Sequence, residues 1–389
     1  MQSDYFQQLT HSLQQQGTGT PQLIVDMARF QHNLDYVAAH LPARLQPRLV
    51  VKSLACLEIL QHASQSLNTQ RFMLFHLPHL YEVMQQFPQA DVLFGKPMPI
   101  RAVDAFYQQV MASAENIQLH LQWLVDQPAR LQQYLHLAQQ RQLCLNINLE
   151  IDIGLHRGGA QDHAGFMQML ELIQQHPQHL KLSGLMGYDA HVVKLPNVFH
   201  AQAKAYQHSQ QQYRNYKQLI QHHFPKLWQD DLCFNGGGSL TFMQHCQHSE
   251  CNDLAFGSML LKPSDFDLKI LSDLQSALWI ATPVLKVLAA VLVPGLDRLQ
   301  SYLPQSNQAV FVYGGYWMAD YVYPESSHPH ALYGRSSNQE LIQVPKQHRI
   351  QIDDYVFLRP QQSEAVLPQF EAVYAYQHGQ FTPWATFRE

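Results

Sequence analysis

The sequence lacks grouped positive charge. Lys and Arg number 25 against 30 Asp and Glu, for a net charge of −5, and no stretch concentrates the cations. Neutralising a phosphate backbone needs clustered Lys and Arg, so a small molecule is expected as partner and nucleic acid is not. Long apolar runs are missing as well. Residues 182–186 and 276–293 are too short or too interrupted to span a bilayer, so no membrane partner is expected. Residues 1–19 have neither the charged start nor the apolar centre of a signal peptide, which predicts a cytoplasmic protein. Cysteine is scarce: Cys56, Cys144, Cys233, Cys246 and Cys251 are odd in number and without CxxC spacing. That excludes a disulfide framework and a zinc cluster, and predicts reduced core thiols. No internal repeat or low-complexity linker stands out. The 23 histidines fall mostly on polar helical faces, where an unpaired His needs no special role.

What is present is alternation. A chain of 389 residues with ordinary apolar content buries a large core and divides into two domains. After a short strand at 23–26, apolar runs of strand length alternate with segments of helical period. The candidate strands are 48–52, 72–76, 92–95, 119–125, 144–149, 182–187, 231–235 and 254–256. Helix candidates between them include 56–66, 100–111, 164–175 and 201–222. Alternation of this kind predicts a parallel sheet, and this number of strands closes a (β/α)8 TIM barrel. From about Lys269 the texture changes to β-branched and aromatic strands at 277–293, 309–313, 340–344 and 355–358. The expected fold is therefore α/β, with a barrel over 20–265 and a β-rich C-terminal domain over 266–389. Residues 1–19 are expected to pack against that second domain.

Chemistry in such a barrel sits on the loops that follow the strands' C-terminal ends. Lys52 ends the first strand in the apolar context Leu49-Val50-Val51. Apolar surroundings strip water from an amine, and an amine nucleophile is what an aldehyde cofactor needs. The ordinary alternative is a lysine that marks where the strand leaves the core. After the seventh strand comes Asn235-Gly236-Gly237-Gly238-Ser239, and the eighth ends in Phe256-Gly257-Ser258. Glycines let backbone N–H groups approach phosphate oxygens closely, and Ser239 can cap the following helix, whose N-terminus favours a dianion. A triple glycine can equally be a plain turn. After the fifth strand, Arg157 stands between glycines, where it can meet a phenolate oxygen or pair with Asp152. After the sixth, Tyr188 lies within reach of a planar ring, unless it is core filler.

Taken in order, these motifs carry a family likeness. Thr20-Pro21-Gln22-Leu23-Ile24-Val25-Asp26, Lys52-Ser53, Cys56-Leu57-Glu58-Ile59, Gly154-Leu155-His156-Arg157-Gly158, Gly184-Leu185-Met186-Gly187-Tyr188-Asp189 and Gly236-Gly237-Gly238-Ser239 form the set. It resembles the D-threonine aldolase and D-serine dehydratase group of fold-type III pyridoxal phosphate enzymes, which is distantly related to alanine racemases. The resemblance covers about residues 20–260 well. It implies pyridoxal 5'-phosphate held as a Schiff base on Lys52, Arg157 near its phenolate, Tyr188 near its pyridine ring, and its phosphate in the glycine loop. It also implies a homodimer with the active site at the subunit interface.

The departures from that group bear on the reaction. Members usually follow the lysine with Thr-His-Lys, where this chain has Ser53-Leu54-Ala55. Metal-dependent members carry a histidine after a Ser-Glu-Glu run and a His-x-Cys pair. Here Ser337-Asn338-Gln339-Glu340 puts Glu340 in place of the histidine, and Gln362 and Glu364 replace the pair. Zinc is not expected with such ligands, although two carboxylates and an amide suit a hard cation or a substrate's polar groups. The plain alternative is that they are surface residues of a β-domain. The leading function is a lyase, aldolase or dehydratase, acting on a D-β-hydroxy amino acid, with Glu340 and Glu364 handling the β-hydroxyl. The first alternative is a racemase, whose second base would be Tyr313 or Tyr316. The second is a non-catalytic pyridoxal phosphate carrier, against which the large C-terminal domain argues.

Overall fold

The structure is a computed structural model and describes residues 2–112, 120–160, 162–196, 200–289 and 306–388. After strand β1 (Gln22–Asp26) come β2 (Gln46–Val50), β3 (Arg71–Leu74), β4 (Asp91–Phe94) and β5 (His120–Val125). They are followed by β6 (Leu145–Glu150), β7 (Leu180–Gly187), β8 (Cys233–Gly236) and β9 (Asp253–Phe256). Strands β2 to β9 pair in chain order and close on themselves, with β9 parallel to β2, so the expected barrel is the one formed. Such strands are covered on both faces, which is why Val92, Leu93 and Phe94 read as one continuous apolar run and are all buried. Boundaries differ from expectation by up to a few residues, and Leu119 lies outside the described residues.

Period-two alternation selects what fills the barrel. Met73, Leu93, Leu124, Met186 and Ala255 form one apolar cluster, with Val50, Phe75 and Tyr188 packed against it. A polar group sits within the same barrel. Arg48 is fully buried, and its guanidinium donates to Asp253 at 2.7 and 2.9 Å and to the carbonyls of Phe72 and Asp91. Helices bridge the strands. The one at Pro128–Arg141 starts on proline, whose missing N–H is harmless in a first turn, and stops where Gln142 turns left-handed. It buries Leu131, Tyr134, Leu135 and Ala138, the spacing of one helical face.

By its contacts the chain forms two units, the barrel unit of Leu34–Ala55, Ile59–Met259 and Phe387–Glu389, and a second of Met1–Asn33, Cys56–Glu58 and Leu260–Thr386. The second is built on β10 (Leu278–Leu288), β11 (Asn307–Tyr313), β12 (Ala319–Tyr323), β13 (His328–Pro329), β14 (Gln339–Pro345), β15 (Tyr355–Pro360), β16 (Ala372–Gln377) and β17 (Gln380–Ala385). Its sheet runs β13-β14-β11-β10-β1-β16-β17, with β15 pairing β10 and β12. Strand β10 ends before the expected 293, and 290–293 lie outside the described residues. The helix Gln2–Gln16 places Phe6, Leu9 and Leu13 against Ile24, Trp279 and Phe357 of this sheet.

Candidate functional site

Parallel strands put all their C-terminal ends on one rim of the barrel, so residues far apart in sequence meet there. Lys52 was expected as the last residue of its strand, but β2 stops at Val50 and Lys52 lies in a tight turn, Val51–Leu54. Within the turn Val51, Ser53 and Leu54 are buried, and Lys52 is the residue left less covered. Ser258 Oγ lies 2.9 Å from Ser53 Oγ, which ties this turn to the one after β9. The Lys52 ammonium lies 4.7 Å from the centre of the Phe75 ring, just beyond β3.

The glycine loop follows β8. Gly237 has φ +70, and a Cβ there would come within 2.3 Å of Leu254 Cδ1 and 3.0 Å of His245 Cδ2, so only glycine fits. A Cβ on Gly238 would lie 3.1 Å from Tyr188 Cε2, which places the loop beside that ring. Ser239 does not cap the helix that follows. That helix, Phe242–Gln247, starts after Thr241 and has no side-chain cap. Ser239 Oγ instead accepts the backbone N–H groups of Met259 at 3.1 Å and Gly257 at 3.4 Å, so it binds the loops after β8 and β9 together. Nor is the following helix the anion site expected of it, being only one and a half turns long. Asn235 also departs from expectation. Its buried side chain donates to Asp253 Oδ1 at 2.6 Å and so belongs to the Arg48 network inside the barrel.

Beyond β6 the chain turns on Asp152, whose Oδ1 accepts the N–H groups of Gly154 and His156 while Oδ2 pairs with His156 Nδ1 at 2.7 Å. Asp152 thus pairs with His156, which frees the exposed Arg157 from the role of its ion-pair partner. The Arg157 guanidinium lies 5.0 Å from the centre of the Tyr188 ring. A depression of about 530 Å³ adjoins it, lined by Asp126, Pro128, Arg157, Gly158, Asp162 and Gly165.

Two groups here escaped the sequence reading. Glu150, the last residue of β6, is buried, and burial followed by the charge of Asp126 pushes its carboxyl up to about 7, with Arg157 pulling it partway back. Its signal was the alternation Asn146, Asn148, Glu150, three polar residues on one face of an otherwise apolar strand. The other is His245, placed with the surface histidines by its helical pattern but buried against Asp189.

Lys52, Arg157, Tyr188, Gly236, Gly237, Gly238, Ser239, Gly257 and Ser258 all belong to the barrel unit, whereas Glu340 and Glu364 belong to the other. Glu340 is buried, accepts from Tyr321 Oη at 2.7 Å and pairs with Arg335 at 2.9 Å. Its carboxylate is thus held by neighbours within its own unit. Glu364 is half-buried and accepts from Ser363 Oγ at 3.3 Å, and Gln362 donates to Asp265 at 2.9 Å. Tyr313 and Tyr316 are exposed. Among the described residues no group of three or more His, Cys, Asp or Glu is placed to hold a metal ion, and no helix is long and apolar enough to cross a membrane.

Residues 25–265 match the family described as alanine racemase, N-terminal domain. No curated protein matches the chain. Among solved structures it is similar to D-threo-3-hydroxyaspartate dehydratase from Delftia sp. HT23, with 14% identity and a TM-score of 0.70 over 95% of this chain and 98% of that one. D-threonine aldolase from Filomicrobium marinum shares 14% identity at a TM-score of 0.72, covering 94% of this chain and 96% of its own. An alanine racemase from Bacillus anthracis shares 12% at a TM-score of 0.71, covering 95% and 98%. At these identities the likeness is one of fold.

Proposed function

Because the chain belongs to the alanine racemase N-terminal domain family, whose members are pyridoxal phosphate enzymes of fold type III, we propose that it holds pyridoxal phosphate at the barrel rim, attached to Lys52, and acts as a lyase on a D-configured β-hydroxy amino acid. One observation carries the cofactor reading: an amine, a guanidinium, a phenol ring and a glycine loop share one rim, with the loop turned so that Gly237 leaves no room for a Cβ and Gly238 lies close against the Tyr188 ring. These residues fit the group. Backbone N–H groups of the loop suit its phosphate, the Tyr188 side chain its ring, and the Arg157 charge its phenolate oxygen. When bound, pyridoxal phosphate supplies an electron sink for the pair released as a bond to the amino acid's Cα or Cβ breaks.

The chain's own residues then have defined tasks. Lys52 Nζ would be the attachment point and, when not so engaged, an amine able to take or return a proton. The turn bonded through Ser53 and Ser258 holds that amine at the rim. The positive charge of Arg157 works against the burial that raises the Glu150 carboxyl. The lyase reading rests on barrel motifs such as Gly154-Leu155-His156-Arg157-Gly158, which resemble the D-threonine aldolase group more closely than alanine racemases. A homodimer is part of the same proposal.

A racemase is the second reading, and a specific observation favours it. Glu340, offered above for the β-hydroxyl, is already engaged by Arg335 and Tyr321, whereas Tyr313 and Tyr316, the candidates for a second acid or base, are exposed. Incubation with a panel of D- and L-amino acids, following aldehyde, keto acid and chirality together, decides between them. Aldehyde or keto acid from D-β-hydroxy substrates is the expected result. Inversion of a simple amino acid without either product means racemase. Borohydride reduction is expected to fix the cofactor on Lys52 and to leave Lys52→Ala unlabelled, and labelling of that variant would refute the attachment.

A further inference from the structure

A buried ion pair lies directly against the glycine loop. Asp189, the neighbour of Tyr188, is wholly buried, and His245 is 1% exposed. Asp189 Oδ2 lies 2.9 Å from His245 Nε2, and Oδ1 accepts from Thr241 Oγ1 at 2.7 Å. The other ring nitrogen, Nδ1, lies 2.8 Å from Ser249 Oγ, and the Tyr206 ring meets the imidazole edge-on at 5.3 Å. Burial works against a charge on His245, but the Asp189 carboxylate outweighs it and holds the ring protonated well above its usual range.

Such a pair is weak evidence for stability, since well-packed apolar residues would often serve as well or better. Its placement suggests what it is for. It joins three segments: the residue after Tyr188, the residue two beyond Ser239, and the helix Phe242–Gln247. The imidazole also packs against Gly237 so closely that a Cβ there would stand 3.2 Å from Nε2. A rigid, polar-satisfied network behind a loop fixes the directions of its N–H groups, and preorganised donors bind an anion without reordering.

We propose that Asp189 and His245 are positioning residues that lock the loop Gly236–Ser239 in its anion-binding shape and so make the site select phosphorylated over unphosphorylated pyridoxal. The inference rests on the reading of that loop as the phosphate cradle. Clamping the loop to the segment that carries Tyr188 also couples the ring's position to the phosphate's.

The test compares the dissociation constants of pyridoxal phosphate and of pyridoxal for the full-length protein and for His245→Gln, Asp189→Asn and Thr241→Val. Each variant's ratio of the two constants is an internal measure that general destabilisation does not move. In His245→Gln and Asp189→Asn, pyridoxal phosphate is expected to weaken about tenfold or more while pyridoxal stays within about threefold, the pattern of lost charge-assisted organisation at the phosphate alone. Thr241→Val, near-isosteric and least disturbing to the fold, is expected to move the ratio in the same direction and carries the test if the other two fail to fold. Equal weakening of both ligands, or no change in either, overturns the proposal. A parent protein that binds neither ligand, or binds both equally, refutes instead the reading of the rim as a pyridoxal phosphate site.

Discussion

Ser239 Oγ stands 3.1 Å from the N–H of Met259 and so closes the gap between the loops after β8 and β9. Two backbone donors, those of Gly257 and Met259, share this one oxygen in a buried position. Ser239→Ala is expected to lower stability by about 1–2 kcal/mol, the effect of leaving buried N–H groups without an acceptor. Urea titration measures that loss. Pyridoxal phosphate titration of the same variant is expected to show weaker binding, because the two loops no longer hold one geometry. If both measurements match the parent, the bond has no role in the site.

Gly237→Val meets two barriers at once, a φ of +70 and a Leu254 methyl 2.3 Å from the new Cβ. The left-handed backbone alone costs about 1–3 kcal/mol for a β-branched residue. Cofactor affinity is expected to fall strongly, as read by the change in absorbance on titration. Unchanged affinity would put the phosphate somewhere other than this loop.

Glu150 makes stability depend on pH. Its carboxyl is raised from 4.5 to about 7 in the folded chain, so between those values the folded state keeps a proton that the unfolded state has lost. Stability from this group is therefore full below the lower value and declines as pH rises through the upper one. Glu150→Gln removes the dependence. Its melting temperature is expected to gain on the parent's from pH 5 to pH 8, by the equivalent of at most about 3 kcal/mol. A constant difference across that range would mean the carboxyl titrates normally.

Arg48 and Asp253 stand 205 positions apart and share two hydrogen bonds inside the barrel. Arg48→Met leaves the Asp253 carboxylate without its main counter-charge, and a loss of about 3–5 kcal/mol is expected in chemical denaturation. Adding Asp253→Asn is expected to restore part of it, because the orphaned charge is then gone. No recovery in the double variant would show that packing, not charge, accounts for the loss.

The barrel could be read from the sequence because its determinants are local. Buried parallel strands are continuous apolar runs, and Val92–Phe94 or Trp123–Val125 declare themselves without knowledge of their neighbours. Position at a strand end is likewise a matter of order along the chain, and it singled out Lys52, Arg157, Tyr188 and the glycine loop. What only the tertiary structure decided is which polar groups meet. Ser239 was expected to serve the helix beside it and serves Met259. Asn235 turns from the rim to Asp253, Glu340 is claimed by Arg335 and Tyr321, and His245 finds Asp189 across 56 positions. Periodicity is set by the backbone geometry of a few consecutive residues. A hydrogen-bond partner is set by how the barrel closes and how the second sheet pairs its strands, which bring side chains together in ways the local pattern does not record.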